Sequence, residues 1–297
     1  MKYTKPHKTI EEQIILLKDR GLLIRDELSA KLYLKHLNYY RLAGYWITFE
    51  KNDASHKFKK QTTFEDILNL YNFDKELRLI LLDAIECVEV SIRTQWAYHF
   101  AKIHGSHAYL DCNLSKKNWH ETNLKSLQKE IERSDELFIK HYQNTYTEPL
   151  TPPIWVICEI MSFGVLSRWF KALKPGKICS KISKSYQLDY SVLSSFIEHL
   201  TYIRNLCAHH SRIWNKRMTK TMRIPKTKPK ALIKNFNDEN EAERKLYNSL
   251  VMLLHILNTI NPKLIIQERL IDLIKKHPQH LIAMGFPHDW SQREIWK

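Results

Sequence analysis

The chain contains 297 residues, with 47 lysines and arginines against 32 aspartates and glutamates, a formal net charge of +15. This length allows one large domain or two small ones, and the basic excess favours a polyanionic partner, chiefly nucleic acid; a basic surface with no specific partner is the alternative. No apolar run approaches the roughly 18 residues of a membrane span, and the polar N-terminus has no signal sequence, so neither a membrane protein nor a secreted one is expected.

The cysteines also bear on the compartment. They are scattered and form no Cys-x-x-Cys motif: Cys87, Cys112, Cys158, Cys179 and Cys207. This usage is typical of a reducing compartment and argues against a disulfide framework. We therefore expect a cytoplasmic protein.

The first part of the chain has the pattern of short helices. Glycine is rare, with six residues, and apolar residues recur mostly at helical spacing, so the expected fold class is all-α. A capping box at Thr9 and Glu12 opens the first predicted helix, which Gly21 ends, and a second is predicted over about residues 27–36. Residues 38–46 are rich in aromatic side chains. Packing between helices is the preferred interpretation, and a base-stacking surface is the alternative.

One long helix dominates the prediction. Thr63 and Asp66 can cap its start, and no glycine or proline interrupts the sequence before Gly105. A single helix from Phe64 to about His104 is expected, and its length suits the central helix of a bundle.

The remaining elements are predicted from their apolar spacing. Residues 115–147 are polar with a helical pattern, and the tail is expected to dock through Trp290 and Trp296. Further helices are predicted over residues 153–173, 191–212, 239–258 and 264–276. The predicted regions are an N-terminal helical region over 1–62, a helical core with a basic segment over 63–234, and C-terminal helices over 235–297.

Two segments that flank the helix predicted at 191–212 lack acidic residues. They cover residues 160–188 and 212–234. Their candidates for binding RNA phosphates are Arg168, Lys171, Lys174, Lys177, Arg212, Lys216, Arg217, Lys220, Arg223, Lys226, Lys228 and Lys230. A groove lined by them would hold phosphates through counterion release, whereas the alternative is a solvated charged face.

Arginine, asparagine and histidine come close together between these segments, at Arg204, Asn205, His209 and His210. Histidine exchanges a proton near neutral pH, and arginine forks onto phosphate oxygens as charge builds up there, so this set suits RNA cleavage without a metal ion. On an ideal helix Asn205 and His209 share a face, while Arg204 lies about 100° round from Asn205. A working site therefore needs the helix to end near His209, or a second copy of the motif facing the first.

The spacing by itself is a weak signal, because Arg93 and His99 also fit the pattern Arg-x4-6-His. His99 is more simply interpreted as structural. His104, His107 and Cys112 could bind a metal in principle, but no fourth ligand stands at regular spacing, so no metal and no other cofactor are expected.

Charged residues elsewhere are candidates for supporting the site: Glu86, Arg93 and Glu159. Glu89 and Arg93 stand four residues apart in the order that favours an ion pair within a helix. For Glu89 this pairing is preferred over a role in orienting Arg204 and His209. Glu159 is either the partner of a buried arginine or a site residue.

Five blocks, in order, carry a family resemblance. They lie at residues 18–22, 38–46, 84–94, 152–164 and 204–215, and the last reads RNLCAHHSRIWN. Together they resemble the motifs of the Abi-like (abortive infection, AbiD/AbiF-type) family, within the HEPN superfamily of all-helical RNases.

The resemblance implies a HEPN-type helical bundle and a metal-independent endoribonuclease of a phage-defence, abortive-infection or toxin–antitoxin system. It also implies a homodimer, with RNA as substrate and a structured RNA as a further partner. His209 or His210 would be the general base or acid, Arg204 would stabilise the charge on phosphate, and Asn205 would position phosphate or histidine. The alternative is a non-catalytic RNA-binding dimer whose Arg/His surface grips phosphates.

Overall fold

The computed structural model describes residues 2, 6–116 and 119–297 and confirms the all-α fold class with a long central helix. Across these residues the chain forms thirteen α-helices joined by 3-10 turns and loops, and β-type pairing is limited to isolated bridges. The chain divides into two compact units, Met1–Leu77 and Arg78–Lys297. The division into three regions that was predicted from the sequence stays a prediction. Part of the polar N-terminus lies outside the described residues.

The first unit contains three short helices: α1 (Ile10–Asp19), α2 (Glu27–His36) and α3 (Tyr39–Trp46). The predicted capping box opens α1, because Thr9 Oγ1 accepts from the Glu12 N–H while the Glu12 carboxylate accepts from the Thr9 N–H. Helices α1 and α2 pack against each other. Tyr45 and Trp46 are buried, and the Tyr45 hydroxyl donates to Asp74 over 2.7 Å. These two aromatic residues are therefore packing elements.

Helix α4 spans Phe64–His104, as predicted. Thr63 Oγ1 accepts from the Asp66 N–H over 3.1 Å, and Asp66 accepts from the Thr63 N–H over 2.8 Å. Gly105, at φ +95°, ends the helix in the left-handed conformation that favours glycine. Within the second unit its buried apolar residues are Ile80, Leu81, Ala84, Ile85, Val88, Ile92, Trp96, Ala97 and Phe100.

Four helices follow: α5 (His120–Glu132), α6 (Leu137–Thr145), α7 (Ile154–Ile160) and α8 (Phe163–Ala172). The prediction of one helix over 153–173 is wrong. Met161 and Ser162 are extended, and Ser162 Oγ accepts from the Val165 N–H over 3.4 Å to cap α8. The apolar spacing continues through this break, so periodicity alone could not reveal it.

The motif helix lies in the next pair, α9 (Lys177–Ser185) and α10 (Tyr190–Ala208). Helix α9 was not predicted, and α10 ends before the predicted limit at residue 212. Helix α10 packs against both α8 and α9. Its buried face includes Phe196, Ile197, Leu200, Ile203 and Cys207.

The last helices are α11 (Lys230–Ile233), α12 (Leu246–Ile260) and α13 (Ile265–Lys276). The helix predicted from residue 239 starts later, because Glu241 takes a left-handed φ of 62° and a 3-10 turn follows it. Trp296 is buried, and its indole N–H donates to the Tyr247 hydroxyl over 3.2 Å. Trp290 contacts Trp296 edge-on, so the tail docks as predicted. All five cysteines are free thiols.

Candidate active site at the end of helix α10

Helix α10 ends in a turn that usually contains glycine but here contains histidine. The Ser211 N–H donates to the Leu206 carbonyl over 2.9 Å, and the His210 N–H donates to the Cys207 carbonyl over 3.0 Å. These two bonds form a Schellman motif, with His209 as the C-cap residue and His210 next at φ 55°. A left-handed conformation is uncommon for a residue with a side chain, and such strained residues cluster at functional sites.

The four predicted catalytic residues are all exposed. Arg204 Nη1 donates to Asn205 Oδ1 over 3.5 Å, and the Asn205 carbonyl accepts from the His209 N–H over 3.0 Å. Because each residue of a helix turns by about 100°, Arg204 and His209 leave α10 about 140° apart. One chain therefore places Arg204 beside Asn205 and the two histidines together at the helix end, but it does not stack Arg204 on His209.

A charged cluster links α4 to the end of α7, and Arg204 of α10 acts on it electrostatically. Arg93 pairs with Glu89 one turn earlier on α4, and its Nη2 also donates to the Met161 carbonyl over 2.8 Å. Arg93 Nη1 lies 3.9 Å from the Glu159 carboxylate. Burial raises the pKa of Glu89, while the positive charges of Arg93 and then Arg204 act to lower it. The Glu89 carboxylate thus lies within the electrostatic reach of Arg204.

The three predicted supporting residues occupy different positions in this cluster. Arg93 is held at its centre, and Glu159 lies at its edge with half of its side chain exposed. Glu86 is exposed and acts on Glu89 as a like charge. Glu89 is the residue that was set aside on sequence grounds. Its intrahelical pair with Arg93 is present, but the spacing gave no sign that the charge of Arg204, on a distant helix, also acts on the same carboxylate.

Both basic segments run beside α10. Lys171 of α8 pairs with Glu198 over 2.7 Å. The chain after the motif returns along α10: the Thr219 N–H donates to Tyr202, and the Arg223 N–H donates to Ser195 over 2.9 Å. Both acid-free segments therefore contact the helix that bears the motif, and they do so along one face of it.

The predicted phosphate-binding residues are not equivalent. Lys171 is paired with Glu198, and Arg217 is paired with Glu241 over 2.6 Å, so each has a carboxylate competing with phosphate. The exposed remainder includes Arg168, Lys174, Lys177, Lys220, Arg223, Lys226, Lys228 and Lys230, while Arg212 and Lys216 are half-buried.

A buried histidine fixes the returning segment to the core. His199 of α10 donates from Nδ1 to the Lys220 carbonyl over 2.9 Å, so its Nε2 accepts from the Ser249 hydroxyl over 2.7 Å. Burial lowers the pKa of His199 to about 4, which keeps the ring neutral at physiological pH. His199 thereby links α10, the basic segment at Lys220 and helix α12.

No helix in the described part of the chain is both long and apolar enough to cross a membrane.

Comparison with known proteins gives one family assignment. No curated protein and no solved structure matches the chain. Residues 32–215 match the family model described as Abi-like protein, and this range covers more than half of the sequence and contains the Arg204–His210 motif. The chain therefore belongs to the Abi-like protein family.

Proposed function

We propose that this protein is a metal-independent endoribonuclease of the HEPN type. The observation that carries the proposal is the exposure of Arg204, Asn205 and His209 near the end of one helix that both acid-free basic segments contact. A guanidinium and an imidazole supply the charge stabilisation and the proton transfer that phosphodiester cleavage needs. Membership of the Abi-like family suggests a role in abortive infection, a form of phage defence.

The proposed reaction is attack of a ribose 2′-OH on its own phosphodiester. His209 takes the proton from the 2′-OH or gives one to the leaving 5′-oxygen. The 2′-oxygen bonds to phosphorus, the bond from phosphorus to the 5′-oxygen breaks, and the products are a 2′,3′-cyclic phosphate and a 5′-OH. Arg204 balances the charge on the phosphate oxygens, and Asn205 positions the phosphate or the histidine. His210 is the second candidate for the proton transfer.

A homodimer would complete this site. The angle of about 140° between Arg204 and His209 on one helix keeps them from acting on the same phosphate as one stacked pair. A twofold axis through the end of α10 would bring Arg204 of one copy towards His209 of the other, because a twofold interface presents the same patch from both subunits. The resemblance to HEPN RNases supports the same arrangement.

Glu89 is proposed to position Arg204. An arginine on an exposed helix turn has many rotamers, and a carboxylate within electrostatic reach favours those that point towards it. Arg93 holds this carboxylate and also donates to the Met161 carbonyl, which ties α4 and the end of α7 to the proposed site. Glu86 and Glu159 would adjust the local charge from the edges of the cluster.

The basic segments are proposed to hold RNA along α10. An unrestrained nuclease of this kind in the cytoplasm would damage its own host. A bound structured RNA or an antitoxin is therefore expected to inhibit its activity. Phosphate contacts from several lysines and arginines release counterions, so binding should weaken steeply as salt rises.

The first test is cleavage of a labelled single-stranded RNA in EDTA by wild type, His209→Ala, Arg204→Ala and the control His141→Ala, an exposed histidine on α6. Wild type and the control should cut and leave cyclic-phosphate ends, while the two motif variants should not cut but should bind RNA nearly as well. If none of the four proteins cuts the RNA and all four retain it equally, the result would instead support the non-catalytic RNA-binding dimer.

A second experiment tests whether the two copies of a homodimer share the proposed site. Arg204→Ala and His209→Ala are purified separately, mixed, unfolded and refolded together. If each site takes its arginine from one copy and its histidine from the other, mixed dimers regain one intact site, and the mixture should recover about a quarter of wild-type activity. No recovery, with mixed dimers confirmed by mass, would contradict a site shared in this way.

A further inference from the structure

The first unit contains a cleft of about 1020 Å³ that the proposed nuclease chemistry does not use. Helix α1, the end of α2, helix α3 and the loop up to His56 line it. The cleft falls within residues 6–56, so it is formed by the first unit alone. Its volume matches the upper limit, about 1000 Å³, of pockets that hold small ligands.

Aromatic rings form one wall. Tyr40 is 71% exposed, although a ring of this size usually buries much of its surface. It stands edge-on to Tyr39, with 5.8 Å between ring centroids, and Tyr39 stands edge-on to the buried Trp46 at 4.7 Å. The Asn38 side chain accepts from the Tyr40 N–H over 2.8 Å and so fixes the backbone at the start of α3. The wall thus presents to the cleft an exposed tyrosine ring on a fixed backbone.

Positive charge surrounds this wall. The basic residues that line the cleft are Lys8, Arg20 and Lys35, with His7, His36 and His56. Arg20 is half-buried and donates to the Tyr39 hydroxyl over 3.2 Å, so a fixed cation lies beside the rings. Among the described lining residues the acid is Glu50, which is 8% exposed and lies 3.2 Å from His56.

We propose that this cleft binds a nucleotide, with its base on Tyr40 and its phosphate among Arg20, Lys8 and Lys35. A nucleobase offers a flat face to an exposed ring, and its adjacent phosphate fits a cationic rim. The one buried carboxylate can accept from a base N–H or a ribose hydroxyl, whereas a phosphate would be placed away from it. The inference goes beyond the proposed nuclease activity and does not depend on it.

Two sources share this chemistry, a free mononucleotide and an unpaired nucleotide of an RNA strand. The experiment uses the full-length His209→Ala protein so that cleavage plays no part. Two photoreactive probes are compared, 8-azido-AMP and a single-stranded RNA hexamer containing 4-thiouridine. The crosslinked peptides are mapped by mass spectrometry, and AMP is added as a competitor of each probe.

At least one probe should label peptides within residues 6–56. Tyr40→Ala should weaken that labelling about tenfold, as loss of one stacking contact predicts, whereas Tyr40→Phe should preserve it because the ring is retained. Lys35→Glu should weaken it and reduce its dependence on salt. Tyr146→Ala, at a tyrosine of the second unit that is also exposed, is the matched control and should have no effect.

The pattern of labelling identifies the source. Labelling by 8-azido-AMP that AMP displaces indicates a free nucleotide, and labelling by the hexamer alone indicates an RNA strand; either outcome supports the cleft as a nucleotide site. The proposal is overturned if neither probe labels residues 6–56, or if folded Tyr40→Ala is labelled there as strongly as the parent.

Discussion

Acidification should destabilise the second unit through His199. The ring is buried and neutral, and its pKa of about 4 lies below the ordinary value of 6.5. Above pH 6.5 neither the folded nor the unfolded chain binds this proton, so the native contacts contribute fully. As pH falls towards 4, the unfolded chain takes up the proton and the native chain does not, and stability is lost.

The size of this effect follows from the two pKa values. Between pH 7 and pH 4.5 the loss from His199 alone is about 2.5 kcal/mol, a large part of the 5–15 kcal/mol that is typical of a folded domain. Replacement by glutamine removes the titrating group. His199→Gln should therefore be less stable than wild type at pH 7, because the Lys220 carbonyl or Ser249 loses its partner, but it should lose about 2.5 kcal/mol less on acidification.

Urea unfolding followed by circular dichroism at both pH values measures the difference. Other histidines and carboxylates titrate in wild type and variant alike, so they cancel when the two pH dependences are subtracted. His141→Gln, at an exposed position on α6, is the control and should follow wild type. Equal pH dependence in wild type and His199→Gln would refute a buried, neutral His199.

Three further predictions concern the site. Glu89→Gln should lower the rate constant of RNA cleavage about tenfold with little change in RNA affinity, whereas Glu76→Gln, on an exposed part of α4, should keep the wild-type rate constant; single-turnover cleavage measures both variants. His210→Asn places at position 210 a residue that also tolerates positive φ, so the thermal stability should be preserved. A cleavage rate within about threefold of the wild-type rate would assign the proton transfer to His209. Lys174→Glu should reduce the salt dependence of RNA binding more than Lys171→Glu, since Lys171 already pairs with Glu198; filter binding across a salt series tests this order.

The elements that the sequence predicts well are those with local causes. Helix α4 is bounded by a capping pair and Gly105, and no residue inside it opposes a helix, so its limits follow from short-range chemistry. The break between α7 and α8 has a partly distant cause. The Met161 carbonyl is satisfied by Arg93 of α4, and no pattern within residues 153–173 reveals that partner.

The site shows the same division between local and distant causes. The proposed catalytic residues Arg204, Asn205 and His209 could be predicted because the chemistry of their side chains and the family motif lie in one short stretch. The relation of Glu89 to Arg204 depends on the packing of two helices far apart in sequence, so it could only be found in three dimensions. The pairing of Lys171 with Glu198 is also tertiary, and it changes which lysines are free of a carboxylate partner and so open to the proposed RNA.

The end of α10 connects these observations. Glycine would relieve the strain of a left-handed residue at position 210, yet histidine stands there, next to a second histidine at the C-cap. Ending the helix at Ala208 turns the chain back along α10, where His199 anchors Lys220 and where the proposed RNA-binding segment lies beside this helix. A continuous helix to residue 212 would carry His209 and His210 on regular turns and would direct the basic segment away from α10. The strained turn therefore both presents the histidines and sets the path of the basic segment, which is the physical reason to regard them as one functional unit.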